Sequence, residues 1–135
     1  MTKGFTCGSF DLLHAGHVIF LRDCKSMCDK LIVGIQADPS IERRNKNKPV
    51  QSLLERQIQL LSCKYVDDVL VYETERDLER LLGIINIHKR FIGDDWKKEN
   101  ITGGNICDKK KIKIVYIPRN HDWSSSSLRE RIKNG

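Results

Sequence analysis

Short apolar runs alternate with longer stretches of helical period along this chain, and no other feature restricts its fold as much. Leu31-Ile-Val-Gly-Ile35 is apolar without a break, as a strand covered on both faces must be; a strand with one wet face would alternate. Lys3–Gly8, Asp68–Tyr72, Arg90–Gly93 and Ile112–Ile117 read as four further strands. The segment His17–Cys28 predicts a helix with Leu21, Cys24 and Cys28 on one face. Ser52-Leu-Leu-Glu55 is a capping box, in which the serine caps the Glu55 amide while the glutamate reaches back. It opens a helix whose expected buried stripe is Leu54, Ile58 and Leu61. Leu78, Leu81, Leu82 and Ile85 mark the next amphipathic helix, and the Ser124–Ser127 run caps a last one ending near Asn134-Gly135. Such alternation implies a five-stranded, parallel, doubly wound α/β sheet, because right-handed crossovers place helices on both faces. Ligands of these sheets bind beyond the carboxyl ends of the strands. The loops after strands one, two, four and five are therefore where chemistry is expected.

Composition serves mainly to exclude. The 135 residues suit one domain, 1–135, against a usual range of roughly 100–200, and no repeat or linker divides them. Charged residues make up 31% and no uncharged stretch approaches the length of a membrane span, which is about 20 residues. A strand begins directly after Met1-Thr2 where a leader would need an apolar core. The five cysteines are odd in number and form no Cys-x-x-Cys pair, which argues against both a zinc site and a disulfide framework. Cys24 and Cys28 read as small core residues, and a cytoplasmic location is the expectation. The formal charge of +6 points to anionic ligands. Dispersed basic residues without a stacking aromatic set favour a small phosphorylated molecule over nucleic acid.

The loop Gly8-Ser-Phe-Asp-Leu-Leu-His-Ala-Gly-His17 carries the strongest chemical signal. Its glycines allow close backbone approach. His14 and His17, three apart at a helix start, share one face. A helix N-terminus offers unpaired amides and a positive dipole, which suits phosphate. The same positive end disfavours a cation and no third ligand is apparent, so no protein-held metal is expected.

Gly8-Ser-Phe-Asp11 followed by His14-Ala-Gly-His17 resembles the HxGH signature of the nucleotidylyltransferase superfamily. Lys64-Tyr-Val-Asp67, Gly93-Asp-Asp-Trp96, and Arg119 followed by Trp123-Ser-Ser-Ser126 come in the order of its small cytidylyltransferases. The likeness is greatest to the glycerol-3-phosphate cytidylyltransferases and covers nearly the whole chain. It implies a Rossmann-like fold and transfer of CMP from CTP to glycerol 3-phosphate or a similar polyol phosphate, giving CDP-glycerol and pyrophosphate. Mg²⁺ would be carried mainly by the triphosphate, and a homodimer is expected, with His17–Leu21 as the apolar contact. An adenylyltransferase using ATP and a sugar phosphate is the alternative, as is a phosphoethanolamine or phosphocholine acceptor.

The resemblance also implies roles. His14, His17, Lys46 and Arg119 would act on the reacting phosphates, with Lys46 and Lys48 as alternatives for the lysine that closes over them. Cys7, Gly8, Ser9, Phe10, Gly16, Lys48, Gly93, Asp94, Asp95, Trp123, Ser124, Ser125 and Ser126 would hold the nucleotide. Asp11, Lys64 and Arg76 would face the acceptor, although Asp11 equally suits a role in holding the loop. Four departures stand out. Lys64 replaces a common arginine, which loses bidentate grip but keeps the charge. The last motif reads Trp123-Ser-Ser-Ser rather than Ile-Ser-Thr-Thr. Leu78 occupies a lysine position that Arg76 or Arg80 could serve. The segment Lys97–Lys111, with Thr102-Gly-Gly104, is longer than the family's.

Overall fold

The computed structural model describes residues 1–94 and 101–135. Its elements run β1 (Lys3–Gly8), α1 (Ala15–Lys25), β2 (Lys30–Gln36), α2 (Leu53–Ser62), β3 (Asp68–Tyr72), α3 (Glu75–Ile84), β4 (Lys89–Gly93), α4 (Gly104–Lys110), β5 (Lys113–Ile117) and α5 (Ser125–Asn134). The five strands form one parallel sheet in the order β3-β2-β1-β4-β5, a Rossmann-like arrangement. The chain builds outward from β1 to β3 and then returns to add β4 and β5 on the other side. That reversal opens a crevice at the carboxyl ends of β1 and β4.

Two apolar layers cover the sheet. Leu21 and Cys24 of α1 pack with Leu31, Val33, Leu60 and Phe91 on one face. Leu78 and Leu82 of α3 and Cys107 of α4 pack with Phe5 and Tyr72 on the other. All five cysteines are free thiols. Gly4 admits no side chain, since a Cβ there would lie 2.4 Å from Phe91 and 2.9 Å from the Cys28 sulfur.

Two expectations are corrected. On α2 the anticipated stripe of Leu54, Ile58 and Leu61 is exposed at 66%, 56% and 58%, and the inward face carries Arg56 and Leu60. The reason is polar: the Arg56 guanidinium donates to the carbonyls of Ser9, Gln36, Ala37 and Gln51, which turns the helix about its axis. Helix α1 begins at Ala15, two residues before His17, because His14 is its cap. Within the segment His17–Leu21, Leu21 is in the core and Ile19 and Phe20 line the crevice. Helix α4, absent from the sequence reading, is short and opens on a left-handed Gly103 at φ 78°.

Candidate active site

The loop from β1 to α1 is bent by two residues in the left-handed region, Phe10 (φ 49°) and Leu12 (φ 53°), at a cost of about 1 kcal/mol each. Asp11 between them holds the bend. Its carboxylate is buried and accepts from the amides of Val50 (2.8 Å) and Gln51 (2.9 Å) and from Arg129 of α5 (2.6 Å). The Gln51 side chain returns the contact by accepting from the Leu12 amide at 2.8 Å. Asp11 thus ties three distant segments together. It does not line the crevice, and its contacts are those of a residue that holds the loop.

The two histidines cap their own helix. His14 Nδ1 accepts from the Gly16 amide at 3.0 Å, and His17 Nδ1 accepts from the His14 amide at 3.2 Å. An amide can only donate, so each Nδ1 is unprotonated and each neutral ring carries its proton on Nε2. Burial is the main force holding both rings neutral. It lowers the His17 pKa to about 3, helped by His14 and opposed by Asp11, and it lowers that of His14, helped by His121, Arg119 and Arg131. The rings lie 3.9 Å apart between centroids, with Phe10 against His17 at 5.4 Å. Gly16 makes the pair possible, because a Cβ there would sit 2.8 Å from both His14 and His121.

The facing wall is the start of α5. Ser124 caps it, its Oγ accepting from the Ser127 amide at 3.0 Å. Ser125 Oγ lies 3.3 Å from His14 Nε2 and 3.4 Å from the Asp11 carbonyl, so it accepts from the imidazole and donates to the carbonyl. Arg119 donates to the Trp123 carbonyl at 2.7 Å. His121 stacks on Trp123 with centroids 5.4 Å apart, and its Nδ1 accepts from the Trp123 amide, leaving its proton also on Nε2. Among the described residues, no three His, Cys, Asp or Glu side chains gather as a metal site.

The crevice encloses about 410 Å³ and extends to the loops after β2 and β3, where Arg43, Lys46, Tyr72 and Glu75 line it. Arg43 binds the Glu75 carboxylate and the Gln36 side-chain oxygen, each at 3.1 Å.

A family model described as cytidylyltransferase-like matches residues 5–131. This chain belongs to the cytidylyltransferase-like family. It is therefore a nucleotidyltransferase by family. It is 33% identical over 129 residues to the bifunctional protein HldE of Nitrobacter winogradskyi, covering 95% of this chain and 26% of that protein. With HldE of Aliarcobacter butzleri it shares 35% over 109 residues, or 80% of this chain and 23% of the relative. The chain thus spans about a quarter of the length of these relatives. Among solved structures, a lipopolysaccharide core biosynthesis protein from Thermoplasma volcanium superposes with a TM-score of 0.73 at 24% identity, over 90% of this chain and 99% of that one. Thermotoga maritima TmcAL, solved with alpha-thio ATP, gives 0.71 at 11% identity, over 99% and 51%. Both show the same fold.

In this cytidylyltransferase-like chain the crevice gathers His14, His17, Lys46 and Arg119 with Cys7, Gly8, Ser9, Phe10, Gly16, Gly93, Trp123, Ser124 and Ser125. Of the two loop lysines, Lys46 lines the crevice and Lys48 does not. Ser126 is exposed on α5, and Asp94 is exposed at the end of β4, its amide donating to the Ile117 carbonyl at 3.1 Å. Asp95 and Trp96 lie outside the described residues. Lys64 precedes β3, at the amino end of the sheet and outside the crevice lining, with its Nζ 5.2 Å from the Tyr65 ring centre. Arg76 is exposed on the first turn of α3 and outside the crevice lining. Sequence reasoning missed Arg43, Glu75, Arg90 and His121, all of which line the crevice. Of these, His121 carried a readable signal, since it falls between Arg119 and Trp123 of a motif already singled out.

Proposed function

We propose that the crevice transfers a nucleotidyl group from a nucleoside triphosphate to the phosphate of a small molecule. The observation that carries this reading is the pair of Nε2–H donors, fixed by helix capping, set against the N-terminus of α5. An acceptor phosphate oxygen bonds to the α-phosphorus as the α–β bridging P–O bond breaks, and the electron pair leaves with pyrophosphate. The attacking oxygen is already anionic, so no protein base is required and the work is positioning and charge stabilisation. His17, and His14 once its Nε2–H exchanges Ser125 Oγ for substrate, donate to the oxygens of the α-phosphoryl group, where charge grows. Arg119, Ser125 and the first amides of α5 hold the leaving phosphates, and Lys46 closes from the β2 side. Mg²⁺ fits this donor-rich wall as an ion carried by the triphosphate, where it neutralises phosphate charge.

The substrate pair read from Gly93-Asp94 and its motif is CTP with glycerol 3-phosphate. A second pair, ATP with a sugar phosphate, has its own support: Thermotoga TmcAL carries an ATP analogue on this fold. A homodimer is part of the proposal, and the exposed Leu54, Ile58 and Leu61 of α2 support that face as the contact. Among the described residues no helix is long and apolar enough to cross a membrane. Pyrophosphate release, measured for the four triphosphates against glycerol 3-phosphate, hexose 1-phosphates, phosphocholine and phosphoethanolamine, tests the reading. Turnover with one pair is expected, and none with any pair would overturn it.

A further inference from the structure

Strand β4 carries a charge where its neighbours are apolar. Arg90 pairs in register with Phe5 of β1 and Ile114 of β5, on the face covered by α3 and α4, and only 4% of it is exposed. Its Nη1 donates to the Thr102 carbonyl. Among the described residues its Nη2 reaches only the Cys7 sulfur, at 4.0 Å, a weak acceptor, and burial pushes the Cys7 pKa up so that the thiol stays neutral. Its Nε is buried with no partner. Among the described residues no carboxylate pairs with Arg90; the carboxylate on this side of the crevice, Glu75, is held by Arg43. A buried, uncompensated guanidinium is costly to keep, and this one lines the substrate crevice.

The surroundings are built around it. Thr102 directly precedes the N-cap of α4, Gly103, which takes the left-handed turn that α4 needs. A Cβ at Gly103 would lie 2.6 Å from Leu82 and 3.7 Å from Arg90 Nη1. The turn therefore packs tightly against Leu82 and, among the described residues, engages the guanidinium at its Nη1 edge through the Thr102 carbonyl. The Nε–Nη2 edge, which presents two parallel N–H groups, is the edge a carboxylate or phosphate grips bidentately. Arg43 adds a second buried Nε without a partner at the same end.

We propose that Arg90 is a binding residue for the acceptor, its Nε–Nη2 edge holding an oxyanion of a small phosphomonoester on the α3 side of the crevice. This rests on the phosphate-acceptor reading above and deepens it. The triphosphate takes the histidine side and the acceptor's charge satisfies Arg90, so the two anions approach from opposite walls. The turn at Thr102 and Gly103 then serves the acceptor, by holding the guanidinium's inner edge.

The test reads the arginine Nε–H signals of ¹⁵N-labelled protein, with that of Arg90 assigned by its loss in Arg90→Lys. Glycerol 3-phosphate, glucose 1-phosphate and inorganic phosphate are titrated separately, with CTP alone and ATP alone as controls. A saturable shift of the Arg90 signal with a phosphomonoester, absent with either triphosphate alone, is expected. In turnover, Arg90→Met and Arg90→Lys should raise the acceptor KM by about tenfold or more and leave the triphosphate KM within about twofold. A signal unmoved by all three phosphates, or moved equally by a triphosphate alone, overturns the proposal. So does an active enzyme whose two variants keep the wild-type acceptor KM. If the signal shifts but no triphosphate turns over with any acceptor, the transferase reading fails and the anion seat stands.

Discussion

Two imidazoles that cap their own helix are locked in one tautomer, and this makes their chemistry predictable. His14→Ala and His17→Ala should each lower kcat by about 10²–10³, the usual cost of one lost donor to a developing oxyanion, with circular dichroism unchanged. Gly16→Ala should cost about tenfold or more in kcat with the fold intact, because the new Cβ pushes both His14 and His121 aside. Acid sensitivity follows from His17. Its pKa falls from 6.5 to about 3 on folding, so between those values the unfolded chain binds a proton that the folded chain refuses. Stability therefore drops as pH falls through 6.5 and levels off near 3, with a loss of about 2 kcal/mol at pH 5. Urea midpoints from pH 7 to pH 4 should fall less steeply in His17→Asn than in the wild type, and identical slopes would contradict this origin.

The elements differ in how far their sequences disclosed them. Strand β2 was legible because a buried parallel strand has no alternative to an unbroken apolar run. The HxGH loop was legible because its histidines have no place in a core. The register of α2 was not, since Leu54, Ile58 and Leu61 have helical spacing while the side chain that faces inward is a charged one. An arginine becomes an interior residue only when carbonyls from β1 and β2 converge on it, and that convergence is tertiary. Arg56→Met should consequently cost about 3–5 kcal/mol, because the four carbonyls it serves are left without a donor; chemical denaturation measures this. Helix α4 escaped notice for a local reason. Two glycines open it and it is short, so propensity argues against what packing on α3 supplies. Arg90 was invisible as a binding residue because nothing in a strand sequence tells which buried cation lacks a partner.

For the molecule as a whole, the exposed α2 stripe is the face where two copies should meet. Ile58→Glu with Leu61→Glu should leave the thermal midpoint within a few degrees and shift light scattering from a dimer to the 15.6 kDa monomer. A wild-type protein that is monomeric at micromolar concentration would refute the contact. The Asp11 clamp has a consequence in time. One carboxylate joins the first loop to the amides of Val50 and Gln51 and to Arg129, which leave the ribosome in that order. Synthesis takes seconds at about 5–20 residues per second, and for most of that interval the strained turn at Phe10 and Leu12 lacks its final tether. A nascent chain can lay down the sheet and cap α1 early, but the Arg129 tether on Asp11 and the Ser125 contact to His14 form only when α5 docks. Competence waits on α5, a segment synthesised more than a hundred residues after the loop it completes.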